Sequence, residues 1–143
     1  MSEYKEVRKA IKERLVYWIN RLDLNSVTIK THFCYAKDKT EPETIAQTFR
    51  RFDYNEARIY FYLPNITKNN VDSSIVHELI HIIFAGYDNR LSLYVTAIET
   101  LLKGDDKTAI MDCLWSGFTE IIEKTTVAFT NIVLRYEKEF AKD

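Results

Sequence analysis

Apolar residues recur along this chain in three different rhythms. Between residues 3 and 22, Val7, Ile11, Leu15, Trp18, Ile19 and Leu22 stand on one stripe, with charged residues around them. That spacing predicts an amphipathic helix. The rhythm then changes to alternation. In "SVTIKTHFCYA", Val27, Ile29, Thr31, Phe33 and Tyr35 share one face of a strand. After a polar loop, "KDKTEPE", the segment "TIAQTFRRF" alternates more weakly and "ARIYFYLP" more strongly. In the latter, Ile59, Phe61 and Leu63 alternate with Arg58, Tyr60 and Tyr62, and Pro64 ends the strand. "DYNEA" between the two reads as a turn, so they predict a hairpin.

The third rhythm is nearly continuous. Ile75, Val76, Leu79, Ile80, Ile82, Ile83 and Phe84 cover most of a helical circumference, which predicts a helix buried on most sides. Asn70 or Asp72 suits its N-cap, and Gly86 suits its C-terminal cap. A further helix is expected from about Asp88 to Lys103, ending at Gly104. A final helical region starts at Asp105 or Asp106, with "WSG" at 115 to 117 as a place for a kink. Helix, three strands, then helices is an α+β order. It predicts one domain over residues 1–143, with a small antiparallel sheet of about three strands packed against helices.

Composition narrows the function classes. The 143 residues are 46% hydrophobic with a net charge of −1, which lacks the basic excess of a nucleic-acid binder. The charged N-terminal segment has no apolar core of a signal peptide, and no run reaches the length of a membrane span. No nucleic-acid or membrane partner is therefore expected, and a cytoplasmic setting is. Cys34 and Cys113 are in no paired motif and are expected as two buried free thiols.

Within the third rhythm, "VHELIHII" at residues 76 to 83 breaks the apolar pattern three times. His77 and His81 lie one helical turn apart. On a buried helix an unsatisfied polar group costs on the order of 1–3 kcal/mol, so something should satisfy both imidazoles. The plain alternative is two core histidines bonded to carbonyls or water. A shared zinc ion also satisfies them, with Glu78 placed round the helix to act on a metal-bound water as general base.

Catalytic zinc takes three protein ligands, and the only other histidine, His32, lies upstream on a strand. The third ligand is therefore expected among Glu99, Asp112, Glu120 and Glu123, with Asp88 behind them. On the final helix the apolar arc is Met111, Trp115, Phe118, Ile122, Phe129 and Val133. Glu120 points away from it. Glu123 lies at its uncharged edge beside Thr119, Thr126, Val127 and Thr130, which makes Glu123 the first choice and Glu120 the second. Tyr87, Arg90 and Tyr94, after the histidines, are candidates to stabilise an oxyanion.

Taken together, "ARIYFYLP", "VHELIHII" and the later "EIIEKTTVAF" resemble the gluzincin metallopeptidases, above all the small single-domain minigluzincins and their phage-borne relatives. The resemblance covers roughly residues 44 to 134. It implies a zincin-like fold and a zinc-dependent peptidase acting on a peptide or protein substrate. It implies zinc ligands at His77, His81 and Glu123, with Glu78 as general base. It also implies that residues 57 to 63 form a sheet edge that aligns the substrate by strand addition. Many gluzincins carry an aspartate four residues after the ligand glutamate, where this chain has Val127. Two other readings compete with the peptidase: a zincin-fold interaction protein that turns nothing over, and a DNA-associated zinc protease.

Overall fold

Three wholly buried residues, Ala57, Ile59 and Phe61, mark the centre of the sheet. The computed structural model describes residues 4–51, 55–101 and 107–140, with the side chains at 86–89, 91, 101 and 140 left aside. Its elements are α1 (Lys5–Arg21), β1 (Thr28–Cys34), β2 (Ala46–Arg51), β3 (Glu56–Tyr62), α2 (Val71–Leu101) and α3 (Lys107–Phe140). A 3-10 turn at Leu63–Asn65, with Pro64 in it, joins β3 to the loop before α2. The α+β architecture follows the expectation.

The sheet departs from it in one respect. Its order is β1-β3-β2, with β3 antiparallel to β2 but parallel to β1. The sheet is mixed rather than antiparallel. The expected hairpin forms, pairing Arg51 with Glu56 and Ala46 with Phe61. β1 then adds to the far side of β3, pairing Thr28 with Glu56 and Cys34 with Tyr62. The segment expected to be a sheet edge is thus its middle strand, and β2 is an edge. Burial explains the choice: the strand whose inward residues are all fully buried gains most from neighbours on both sides.

One face of the sheet is covered by helices. Ile11, Leu15 and Trp18 of α1 join Ile59, Phe61, Ile75, Leu79 and Ile82 in a single core. Arg14 and Trp18 tie α1 to the start of α2. Arg14 donates to both carboxylate oxygens of Asp72 at 2.6 and 3.0 Å, and the Trp18 indole N–H donates to one of them at 2.8 Å. Asp72 therefore serves as an anchor in the first turn, where its charge also suits the helix dipole. Asn70 directly precedes the helix and bonds back into the loop: its side chain accepts from the Thr67 N–H and donates to the Asn65 carbonyl. On the other sheet face, His32 stacks on Tyr60 with ring centres 4.6 Å apart.

The first of the last two helices is longer than expected, and the second is unbroken. α2 runs unbroken for 31 residues through Gly86, so the predicted end there and the separate helix from Asp88 are one helix. A helical glycine costs about 1 kcal/mol relative to alanine, which the packed turns before it offset. α3 runs for 34 residues through "WSG" with no break. The expected caps at Gly104, Asp105 and Asp106 lie outside the described residues. α3 packs on α2, with Phe84 edge-on to Phe129 at 5.1 Å. Of the arc expected to bury α3, Met111 is buried, but Trp115 and Phe129 stay exposed. Cys34 is half-buried and Cys113 exposed, so they are not the two buried thiols expected. Among the described residues no helix is long and apolar enough to cross a membrane.

Candidate metal centre

α2 sets His77 and His81 on one stripe, one turn apart, and that stripe faces α3. Their Nε2 atoms stand 3.1 Å from each other. Glu123 of α3 meets both: its Oε2 lies 3.5 Å from His77 Nε2 and its Oε1 3.2 Å from His81 Nε2. His77, His81 and Glu123 are a group among the described residues that can hold a metal ion, with one donor atom from each within 4.8 Å of the others.

The spacing tests whether such an ion fits. Zinc held tetrahedrally at about 2.0–2.1 Å from each ligand sets its ligand atoms about 3.3–3.4 Å apart. The observed 3.1, 3.2 and 3.5 Å bracket that edge length. Two imidazoles and one carboxylate also match the donor set of catalytic zinc. Two imidazole nitrogens at hydrogen-bond distance cannot both present a proton to each other, whereas both lone pairs can face one cation. The residues fit the ion. Contact with His77 and His81 holds the Glu123 carboxyl well below the usual carboxylate range.

Glu78 is the counterpart. It is 4% exposed, against the half-exposed Glu123. Burial pushes its carboxyl above the ordinary value, opposed by a hydrogen bond from Thr48 and by the two histidines. Thr48 Oγ1 donates to Glu78 Oε2 at 2.7 Å. Thr48 pairs with Ile59 and so shares its inward face. Two residues on, Arg50 Nη1 donates to the Ile82 carbonyl at 2.5 Å, a second tie between β2 and α2. The sequence reading missed Thr48. Its available signal was a polar residue on the inward face of a strand that otherwise packs on the helix.

The remaining candidates do not join the group. Glu120 bonds Lys124 at 2.5 Å on the exposed side of α3, and Glu99 pairs with Lys107 at 3.8 Å. Asp112 is exposed, and the side chain of Asp88 lies outside the described residues. His32 is on the other sheet face. Tyr87 also has its side chain outside the described residues. Arg90 and Tyr94 are exposed and do not line the cleft, because α2 continues as one helix and carries them away along its axis.

The cleft in front of these groups has a volume of about 850 Å³. Its floor is His77, Glu78, His81 and Glu123, one wall is β2, and Val127 and Asn131 of α3 stand opposite. Val127, where many gluzincins have an aspartate, thus faces the cleft as an apolar side chain. Comparison of the chain with protein-family models, with curated proteins and with solved structures returned no match.

Proposed function

We propose that the protein is a zinc-dependent peptidase of zincin type. The observation that carries this reading is the convergence of His77, His81 and Glu123 at tetrahedral spacing, with a buried carboxylate, Glu78, in the same cleft. His77, His81 and Glu123 would hold the ion. A zinc ion in such a site supplies a Lewis acid that makes water nucleophilic near neutral pH.

The chain's own residues supply the rest. Thr48 occupies Glu78 Oε2, which leaves Oε1 to accept a proton from the attacking water and return it to the leaving amine. Burial of Glu78 brings its carboxyl nearer to the working pH, as a general base requires. β2 is the edge strand on the cleft, so an extended substrate adds to Ala46–Arg51, in place of the 57 to 63 segment implied by the resemblance.

Two measurements test the reading. Elemental analysis of protein purified without added metal should give close to one zinc per chain. A mixed peptide library should be cleaved by the native chain and left intact by Glu78→Gln, which retains its zinc. Equal turnover by Glu78→Gln removes Glu78 from the mechanism. Zinc without any cleavage favours the interaction protein. Absence of zinc, with no uptake on titration, returns His77 and His81 to the role of core histidines.

A further inference from the structure

α3 carries a second apolar stripe on the side away from the metal centre. Ile121 and Ile132 are 66% and 61% exposed, and Ile110 and Tyr136 are also exposed. The stripe passes through positions 110, 114, 118, 121, 125, 128, 132 and 136, in steps of four, four, three, four, three, four and four. Steps of three and four are the seam of a helix that packs along another helix. This series also reads the same from either end.

We propose that this stripe is the contact surface for a second copy of the chain, with the two α3 helices antiparallel about a two-fold axis at position 123. A self-complementary patch is what such an axis demands. Antiparallel pairing sets Ile121 against Thr125, Leu114 against Ile132 and Ile110 against Tyr136. It sets the largest side chain of the middle turns, Phe118, against the smallest, Ala128, so that volume is matched across the seam.

Charge agrees with the same register. One further step at each end reaches Lys107 and Glu139, opposite in sign and brought together twice by the two-fold axis. Within the chain each already has an exposed partner, Glu99 for Lys107 and Arg135 for Glu139, and such surface pairs exchange readily. The helix has 34 residues, about 51 Å of length at about 1.5 Å per residue. The seam from 110 to 136 is about 39 Å of that length, and at about 10 Å wide it projects about 400 Å² per copy before side-chain relief is counted. That is about half of the ~800 Å² per partner of a standard interface, which suits association at micromolar and higher concentration. Glu123 turns toward its own α2, nearly opposite the stripe, so the two clefts open away from the seam.

Sedimentation equilibrium of the full chain, from micromolar to submillimolar concentration, tests this. The expected species at the upper end has twice the 16.9 kDa of one chain. Ile121→Asp/Ile132→Asp should leave a single chain at every concentration, with unchanged helical circular dichroism because both positions are exposed. Lys107→Glu alone should weaken association severalfold, and Lys107→Glu/Glu139→Lys should restore it. A native chain that stays at 16.9 kDa throughout overturns the proposal, as does a dimer that survives Ile121→Asp/Ile132→Asp. Failure of the charge reversal to restore association overturns the antiparallel register.

Discussion

The two helices that build the candidate centre could hardly differ more in how they hold their residues. α2 presents His77, Glu78 and His81 from turns whose other residues, Val76, Leu79, Ile80 and Ile82, are buried. α3 presents Glu123 from a turn where Ile121 and Val127 are exposed and only Thr126 is fully buried. On α2 the backbone itself is fixed by core packing, so side-chain positions follow. On α3 the carboxylate is aimed chiefly by what it meets. This contrast teaches where the centre is rigid and where it depends on the contacts its side chains make, and it sets the order of expected mutational effects.

The largest effect is expected on α2. Leu79→Ala removes a fully buried side chain and should cost about 2–5 kcal/mol in urea unfolding. Val127→Ala, beside Glu123 on α3, should stay within about 0.5 kcal/mol. Equal costs would mean that α3 is as tightly packed as α2, and the contrast would fail.

Next comes the ion itself. Glu123→Ala should weaken zinc binding by about 100-fold or more, about 2.7 kcal/mol. It should lower the stability of the metal-free fold at neutral pH by less than that, because the carboxylate also meets His77 and His81 without the ion. Glu120→Ala should change neither, since Glu120 bonds only Lys124 among the described contacts. Competition against a chelating dye reads both. The reverse pattern would transfer the ligand role to Glu120.

How much of this was legible in the chain follows from the physics of each element. The spacing of His77 and His81 is a local helical property, so the sequence displayed it outright. Glu123 was legible because an uncharged flank beside an apolar arc is where a carboxylate can turn inward. Sheet order was not legible. Alternation in β1, β2 and β3 gives a face for each strand but no neighbour, although the unbroken apolar series Ala57, Ile59, Phe61 and Leu63 was a sign of a central strand. Gly86 misled because a glycine ends a helix only when packing does not carry the helix through it. Thr48 was hidden for a related reason: its partner lies thirty residues away on α2.

Thr48 supplies the next smaller effect. Thr48→Val keeps the shape and removes the hydroxyl that Glu78 accepts from. In the zinc-free protein this should cost about 1–2 kcal/mol at neutral pH. The sign with pH is set by Glu78. Burial raises its folded-state pKa above the ordinary 4.5, so it detracts from stability as pH climbs from 4.5 through that raised value. The Thr48 hydroxyl offsets part of that loss by favouring the ionised form. Without that hydroxyl the folded-state pKa lies higher still, so the variant's penalty should be absent below the native raised value and reach its full size only above the variant's. A penalty of constant size from acid to neutral pH would show that Thr48 acts by packing alone.

The smallest effect belongs to the loop before β2. Asp38 accepts hydrogen bonds from the Thr40 hydroxyl and from the backbone N–H groups of Thr40 and Glu41. These hold its carboxyl near 2, below the ordinary 3.8. It also accepts from Tyr62 Oη, which donates toward Gln47 Oε1 of β2 as well. Asp38 thus fastens the loop before β2 to the edge strand that forms the cleft wall. Because its pKa is depressed, its contribution is present above 3.8 and fades as pH falls toward 2. Asp38→Asn keeps an acceptor but loses the charge that strengthens these bonds. The variant should lower the urea midpoint slightly at about pH 6 and less near pH 3, with zinc content unchanged. Loss of zinc in this variant would mean that the loop before β2, and not only the two helices, sets the geometry of the centre.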